Sequence, residues 1–265
     1  DDTVILEDSH VGRQGALDSK CHLIPIEDRK DLDQFKIDRI KKILNGKKQK
    51  VSWESKTMNV LIPMAGRGSR FATQGYTFPK PLIDVKGKPM IQVVVDNLNI
   101  KAKYTFIVQK EHYEKYSLQY LLNLIAPDCN IVQVDGITEG AACTTLLAKE
   151  FIDNDEPLLM ANSDQFVEWD SNETLYAFSN GDCDGGILTF PASHPKWSYA
   201  KLDDDGFVSE VAEKKPISEH ATVGVYWWKK GSDYVKYAEQ MIEKNIRTNG
   251  EFYVCPVFNE AIGDD

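Results

Sequence analysis

The pattern of apolar and polar positions divides the chain into a short first unit and a longer second one. In the first unit, apolar runs at 3–6 and 21–26 predict two strands. A helical pattern at 11–20 follows the first strand, and a second helical pattern, from Asp31 or Asp33 to Gly46, follows the second strand. The order β-α-β-α is typical of part of a parallel sheet. Residues 47–57 are polar and rich in lysine, which indicates a linker.

From residue 58 onward, apolar runs of strand length alternate with helical patterns. This alternation predicts an α/β fold, a doubly wound Rossmann-like sheet that binds ligands at the carboxyl ends of its strands. After residue 184 the apolar runs are shorter and are separated by turns, which makes the predicted sheet a mixed one. The predicted strands are 58–63, 104–108, 130–134, 157–161, 186–190, 199–202, 207–212 and 221–228, and the predicted helices are 89–98, 113–125, 141–151 and 232–245.

Composition narrows the class of function. The 265 residues are 42% hydrophobic, which is enough for a core without covalent staples. The net charge of −10 argues against a nucleic-acid-binding surface, so a nucleotide would need a local basic pocket. The five cysteines are scattered and no C-x-x-C occurs, which favours a reducing, cytoplasmic setting without structural zinc. No apolar run approaches the roughly 18 residues of a membrane span, so no membrane partner is expected.

The first strand of the second unit leads into the segment 64–71, Met-Ala-Gly-Arg-Gly-Ser-Arg-Phe. Gly66 and Gly68 allow the backbone to approach a ligand closely, and successive N–H groups in such a turn attract anions. Arg67 and Arg70 add guanidinium groups whose geometry matches phosphate oxygens. The segment therefore predicts a phosphate site at the end of this strand.

A lysine ten residues after this segment makes the prediction more specific. Lys80 lies between Pro79 and Pro81, and the two prolines predict a stiff, extended backbone that aims the ammonium group. Taken alone, the Gly-x-Gly pattern could be a tight turn and the lysine an ordinary surface residue. A dinucleotide fold would need a third glycine, and a Walker loop would need Gly-Lys-Ser/Thr; both are absent. Loop and lysine together favour a nucleoside triphosphate site.

Asp164 follows the apolar strand predicted at 157–161. A carboxylate at the end of a central strand faces the crevice where ligands bind. A hard oxygen ligand of this kind suits Mg²⁺, which keeps several waters and shares phosphate oxygens. The alternative is an aspartate that only caps the turn after the strand.

The glycine segment, followed by Pro-Lys-Pro-Leu, resembles the sugar-phosphate nucleotidyltransferases, or nucleotide-sugar pyrophosphorylases, from about residue 58 to the end of the chain. The resemblance implies a nucleotide-diphosphosugar transferase-like fold. It also implies transfer of a nucleoside monophosphate from an NTP to a sugar 1-phosphate or similar acceptor, with pyrophosphate released and Mg²⁺ as cofactor. In this family Asp164 would bind the metal, together with a second acidic ligand that the sequence does not place. The implied nucleotide-binding residues of this segment are Ala65, Gly66, Arg67, Gly68 and Ser69, and the implied catalytic residues are Arg70 and Lys80.

Other positions are similar to the base and acceptor contacts of this family. Gly140 matches a turn that meets the base through its backbone, and Gln109 is a second candidate for the base. The segment that starts at Glu213 resembles a Glu-Lys-Pro motif, but an extra lysine leaves Lys214 and Lys215 both open, and Lys215 is favoured. Each of these could instead be an ordinary strand or turn residue. The positions matched to the acceptor are Tyr199, Glu213, Lys215 and Gly224.

The first unit has a resemblance of its own. Leu-Glu-Asp-Ser at 6–9, followed by Gly12 and Ala16, resembles the last acidic motif of haloacid-dehalogenase-type phosphatases, whose nucleophile would lie upstream. Residues 1–46 are therefore interpreted as the C-terminal tail of such a domain, without phosphatase activity of its own, and 58–265 as the nucleotidyltransferase domain. We expect a fragment of a longer protein, truncated at its C-terminus.

Two alternatives to the transferase stay open: a phosphatase-related bifunctional protein, and a nucleotide-binding module without catalysis. Among transferases, the resemblance favours cytidylyl transfer to a precursor of a cell-surface polysaccharide. The sequence fixes neither the base nor the acceptor, and it leaves open whether the protein is a homo-oligomer.

Overall fold

The computed structural model describes residues 4–7, 22–25, 37, 40, 53–66, 78–180 and 183–264. The chain divides into two compact units, 1–51 and 52–265. Several predicted features lie outside the described residues, and they stay predictions. They are the helix at 11–20, the acidic-motif positions Asp8, Ser9, Gly12 and Ala16, and the loop residues Arg67, Gly68, Ser69 and Arg70.

The first unit contains a parallel pair of strands, β1 (Val4–Glu7) and β2 (His22–Pro25). The parallel pairing predicted from the apolar runs is therefore confirmed. Ile37 and Ile40 are helical, and both fall within the second helical pattern of this unit.

The second unit is built from strands of one main sheet, a short two-stranded pair, and helices between them. The strands are β3 (Trp53–Pro63), β4 (Asp84–Val85), β5 (Lys88–Pro89), β6 (Ile100–Gln109), β7 (Asn130–Val134), β8 (Leu158–Ala161), β9 (Gly185–Pro191), β10 (Ser198–Leu202), β11 (Val208–Glu213) and β12 (His220–Trp228). The helices are α1 (Met90–Leu98), α2 (Lys110–Lys115), α3 (Leu118–Ile125), α4 (Ala141–Leu146), α5 (Lys149–Ile152), α6 (Ser171–Asn180), α7 (Gly231–Glu243) and α8 (Val257–Ile262), with a short 3₁₀ helix at Lys80–Leu82.

The main sheet has the order β11-β10-β12-β8-β3-β6-β7, and β9 pairs with the other edge of β12. Strands β8, β3, β6 and β7 are parallel, whereas β12 is antiparallel to β8. The chain leaves β3 toward β6 and β7 on one side and returns to β8 on the other. The order therefore reverses between β3 and β8, and in open α/β sheets ligands bind in the crevice outside the carboxyl ends of such strands.

The antiparallel strands bring further loops to this edge. Because β12 runs opposite to β8, its beginning lies beside the carboxyl end of β8, and the beginning of β10 and the end of β11 lie at the same edge. The Cα pairs that set this register are Val225–Ala161, Tyr199–Ala221 and Ser198–Glu213.

Both faces of the sheet are buried. Val60 of β3 packs in a core with residues of α1, α3 and α6, whereas its neighbour Leu61 packs in a second core with residues of α4, α7 and α8. Because side chains alternate along a strand, helices on the two faces produce the doubly wound arrangement that the sequence predicts. None of the described helices has both the length and the apolar character needed to cross a membrane.

Several element boundaries differ from the prediction. Strand β3 begins at Trp53, whose N–H donates to the Asn99 carbonyl (3.0 Å), so residues 53–57 are strand rather than linker. The helix predicted at 113–125 is interrupted at Ser117, which has φ 50°. The helix predicted at 141–151 is two short helices, α4 and α5, and the sequence did not predict α6 or α8.

Candidate active site

Lys80 opens the 3₁₀ helix and is not in the extended segment that its flanking prolines predict. Pro79 is extended (φ −60°, ψ 149°), and its carbonyl accepts the N–H of Leu82 (2.8 Å). Pro81 is compatible with this position because the second residue of a helix needs no N–H donor. The prediction of an extended lysine is therefore wrong, although both prolines hold it in a short, stiff turn.

The Lys80 ammonium forms an ion pair with Oδ2 of Asp164, 84 residues further along the chain. Asp164 comes after β8, and Lys80 lies on the connection that leaves β3, so the pair belongs to the point where the strand order reverses. The two side chains keep 31% and 28% of their exposure, so solutes can reach both groups. This contact brings together the two functional groups that the sequence predicts from separate motifs.

Asp164 can supply one oxygen ligand to a metal ion. No cluster of three or more His, Cys, Asp and Glu suited to a metal occurs within the described ranges, so the second acidic ligand is not placed. Mg²⁺ is commonly bound through one or two carboxylates and completes its shell with water and substrate phosphates. The donor chemistry at Asp164 fits a magnesium shared with a phosphate ligand better than a metal held by the protein alone.

Gln109 braces the two loops that follow β3 and β7. Its Nε2 donates to the carbonyls of Ala65 (2.6 Å), after β3, and Gly136 (3.0 Å), after β7. Both contacts go to the backbone. The structure therefore gives this side chain a bracing role, and a contact with the base stays a prediction.

Gly140 has a backbone conformation that is essentially restricted to glycine, with φ 137° and ψ 176°. A Cβ there would stand 2.4 Å from the carbonyl oxygen and 2.5 Å from the nitrogen of Phe252. The Phe252 N–H donates to the Glu139 carbonyl (2.9 Å), and its own carbonyl accepts the N–H of Ala142 (3.0 Å). Close packing against Phe252 therefore explains the glycine, and its predicted contact with a base stays untested.

The segment at 249–256, for which the sequence analysis offers no physical explanation, packs against this turn. Asn249 (φ 51°) and Gly250 (φ 83°) form the turn, and Thr248 is bridged to Glu251. An Asn-Gly pair is among the strongest local signals of a two-residue hairpin, so this feature was predictable. The hairpin is relevant to the site because it is followed by Phe252, which packs against Gly140, and by Tyr253, which contacts Lys214.

Glu213 lies at the end of β11 in a half-buried polar cluster. Ser198 Oγ donates to Glu213 Oε2. Burial raises the pKa of the Glu213 carboxyl, and Glu251 adds to this, whereas the Ser198 hydrogen bond and Lys214 oppose it. Burial also raises the pKa of the neighbouring Cys255 thiol to about 12, so this cysteine is no candidate nucleophile at neutral pH.

The raised pKa of Glu213 predicts a pH-dependent effect of Glu213→Gln. An acid whose folded-state pKa is raised stabilises the fold fully below its unfolded value, near 4.5, and that contribution is lost as the pH rises through the folded pKa. The stability of the variant relative to wild type should therefore increase from pH 4.5 to pH 8. Urea unfolding at several pH values measures this. A difference that is constant with pH would contradict the prediction.

Lys214, rather than Lys215, makes a defined contact beside Glu213. Its ammonium hydrogen-bonds to Tyr253 Oη and lies 4.3 Å from the centroid of that ring. Lys215 is exposed and takes part in no hydrogen bond or ion pair among the described residues. The structure therefore favours Lys214 over the predicted Lys215 as the ordered lysine of this motif.

Tyr199 and Gly224, the other two positions matched to the acceptor, lie in different surroundings. Tyr199 is fully buried and donates its Oη–H to the His194 carbonyl (2.7 Å), so its side chain cannot line a pocket as predicted. Gly224 (φ 89°) lies in an irregular part of β12 beside the loop of Asp164. A Cβ on Gly224 would stand 2.0 Å from Nδ2 at the end of the Asn162 side chain, which could move aside, so the positive φ restricts this position to glycine more than the contact does.

Comparison with known proteins gives a consistent family and fold. The family described as Nucleotidyl transferase matches residues 59–253. The Bifunctional protein GlmU of Methanocaldococcus jannaschii is 26% identical over 213 residues, 78% of this chain and 48% of that protein. The Low-salt glycan biosynthesis nucleotidyltransferase Agl11 of Haloferax volcanii is 27% identical over 178 residues, 64% of this chain and 48% of that protein. The chain thus spans about half the length of these relatives.

Solved structures agree with the fold. A nucleoside-diphosphate-sugar pyrophosphorylase from Vibrio cholerae RC9 superposes with a TM-score of 0.64 and 26% identity, over 77% of this chain and 88% of that one. A UDP-glucose pyrophosphorylase in complex with UDP-glucose superposes with a TM-score of 0.62 and 16% identity, over 79% of this chain and 88% of that one. At this lower identity the second structure supports the fold alone.

Proposed function

The chain belongs to the nucleotidyl transferase family, and from this premise we propose that it transfers a nucleoside monophosphate from an NTP to a sugar 1-phosphate or a related phosphorylated metabolite. The Lys80–Asp164 pair at the point of strand reversal carries the proposal, because it joins a phosphate-binding cation to a hard oxygen ligand where such sheets bind nucleotides. Pyrophosphate is the second product.

Lys80 and Asp164 neutralise each other without a ligand. When a triphosphate binds, its oxygens offer the Lys80 ammonium a more highly charged partner, and Asp164 becomes available to hold Mg²⁺ together with the phosphates. When bound, the metal would supply further neutralisation of phosphate charge. The pair is therefore a preformed pair of binding groups that the nucleotide separates.

In the proposed reaction, a phosphate oxygen of the acceptor attacks the α-phosphorus while the bond to the bridging α,β-oxygen breaks. Electrons of that bond leave with the pyrophosphate. Lys80 and, by resemblance, Arg70 would balance the charge that develops on the departing group. The protein supplies little covalent chemistry, so positioning and charge stabilisation provide the rate.

The acceptor would enter from the antiparallel half of the sheet. Lys214 follows the end of β11, and Gly224 lies near the beginning of β12, at the same edge as the carboxyl end of β8. A lysine beside a cleft that accepts a phosphorylated metabolite would bind the acceptor phosphate. Glu213 and Gly224 would complete this side, by resemblance.

Finer assignments rest on resemblance. We propose a cytidylyl donor, a precursor of a cell-surface polysaccharide as acceptor, a cytoplasmic location, and a haloacid-dehalogenase-like origin for residues 1–46. The acidic segment at 6–9 and the parallel pair of β1 and β2 support only the last of these, the origin of residues 1–46. A homo-oligomer stays an open prediction.

Pyrophosphate release tests the transferase directly. The chain is incubated with each of the four NTPs, Mg²⁺ and a panel of sugar 1-phosphates and other phosphorylated metabolites. We expect release with one donor and one acceptor class, dependent on both, and loss of release with a magnesium chelator. Thermal stabilisation by an NTP without pyrophosphate from any combination would instead favour the non-catalytic module. Release of inorganic phosphate from the acceptors alone would favour the phosphatase.

A further inference from the structure

The hairpin at 248–251 is locked against the turn of Gly140 by one arginine. The Arg247 guanidinium donates to the Gly250 carbonyl (2.9 Å) and pairs with Glu139 Oε2 (2.5 Å). It also lies 4.0 Å from the centroid of the Phe252 ring. With the two backbone hydrogen bonds of Phe252, these contacts fix the segment on the nucleotide side of the site.

Tyr253 is the next residue, and its side chain contacts the acceptor side. Its Oη–H donates to Glu251 Oε2 (2.7 Å), and the Tyr253 hydroxyl oxygen accepts a hydrogen bond from the Lys214 ammonium. A hydroxyl that donates to a carboxylate is polarised, so it is a stronger acceptor for an ammonium group. Within the described part of the chain, the Lys214 ammonium makes one hydrogen bond, to this hydroxyl, and an ammonium has three donors.

Lys214 has an unusual backbone. Its φ of 55° lies in the left-handed region, which is unfavourable for a residue with a Cβ, and its N–H donates to the Trp197 carbonyl (3.0 Å). The backbone hydrogen bond and the tyrosine contact hold both ends of Lys214, which makes it the ordered lysine of this motif.

We propose that Tyr253 is a positioning residue that holds the Lys214 ammonium ready for the phosphate group of the acceptor. The inference rests on the proposed transferase function and adds a residue to it. Because Phe252 is fixed to the Gly140 turn, Tyr253 can hold the lysine at a defined distance from the nucleotide side. The ligand chemistry is that of a phosphate monoester dianion.

The chain offers a matched control in another lysine–tyrosine pair. On α7, Lys236 Nζ lies 4.5 Å from the centroid of the Tyr237 ring and 3.4 Å from its hydroxyl. That ammonium is also held by Asp264 (2.6 Å), and the pair is on an exposed surface. Tyr237→Phe therefore makes the same chemical change away from the proposed acceptor side.

Steady-state kinetics test the positioning. Tyr253→Phe should raise KM for the acceptor about tenfold, the loss expected for one hydrogen bond to a charged group, and leave KM for the NTP within about twofold. Lys214→Ala should have at least the same effect, and combining the two changes should add little. Tyr237→Phe should change neither KM. Additive effects of the pair, or equal changes in both KM values, would overturn the proposal.

A second measurement needs no turnover. Brief acetylation of the chain, with peptide mass spectrometry, gives the modification rate of each lysine. We expect Tyr253→Phe to increase the rate at Lys214 and not at Lys215, and a sugar 1-phosphate to protect Lys214 in the wild-type chain. An unchanged rate at Lys214, or no protection, would overturn the positioning role. A chain that shows both effects but releases no pyrophosphate would retain the positioning and refute the transferase.

Discussion

Lys80→Ala should lower turnover by about 10²- to 10³-fold, the effect typical of removing one charged group that stabilises a transition state. The structure gives the reason, because the Lys80 ammonium lies on Asp164 at the carboxyl end of the central strands. The methyl group of alanine cannot bind phosphate oxygens. The loss should appear mainly in kcat if the lysine acts on the departing pyrophosphate, and in KM for the NTP if it only binds the substrate.

The fold should tolerate this change. Lys80 is held by backbone turns and by a partly exposed ion pair, and pairs of this kind contribute little to stability because water screens them. The unfolding temperature of Lys80→Ala should therefore stay close to that of wild type. This separates a catalytic loss from a loss of folded protein.

Lys88→Ala is the matched control. Lys88 on β5 pairs with Asp96 (2.7 Å), eight residues later on α1, and both side chains are about half exposed. Unlike the Lys80–Asp164 pair, this one joins two consecutive elements. Removal of Lys88 deletes the same charge and the same type of contact close in sequence to Lys80. Turnover that falls equally in both variants would show a general charge effect, and full turnover in Lys80→Ala would remove Lys80 from the mechanism.

Local patterns predicted the strands well because strand burial is periodic and short-range. The strand at 130–134 matches the prediction at both ends, and every strand of the main sheet was predicted. The pairing of Lys80 with Asp164 is different in kind, since it depends on β3 lying next to β8. Each residue could be found from its own motif, but sheet order, which is a long-range property, decides that they touch.

The incorrect predictions also have physical causes. Both faces of the sheet are buried, so strand position could not distinguish an accessible Tyr199 from the buried one that the structure has. The sequence left Lys214 and Lys215 both open, because nothing in it indicates the left-handed φ of Lys214. A single residue at positive φ changes the direction of the chain, and among sequence signals only glycine and asparagine indicate such a residue.

The acceptor and nucleotide halves of the proposed site come from different parts of the sheet. The parallel strands supply Lys80 and Asp164, whereas the antiparallel strands supply Glu213 and Gly224. Of the two residues that follow the hairpin, Phe252 contacts the Gly140 turn and Tyr253 contacts Lys214. Stability of the Gly140 turn should therefore affect both halves.

Gly140→Ala should lower the free energy of unfolding by about 2–4 kcal/mol, which corresponds to roughly 5–15 °C in a unit of this size. Two costs add. Alanine disfavours φ 137°, and its Cβ would stand 2.4 Å from the carbonyl oxygen of Phe252, a residue whose backbone is fixed by one hydrogen bond at its N–H and one at its carbonyl. Calorimetry or urea unfolding of the purified variant measures the loss.

Gly136→Ala separates the two costs. Gly136 is four residues earlier and also has positive φ (87°), but nothing lies within 4 Å of its Cβ position. It should therefore lose only the conformational part, about 1 kcal/mol. Equal losses in the two variants would show that contact with Phe252 does not explain Gly140. A much larger loss at Gly140, with weaker thermal stabilisation by NTP and a faster acetylation of Lys214, would show that one hairpin supports both halves of the site.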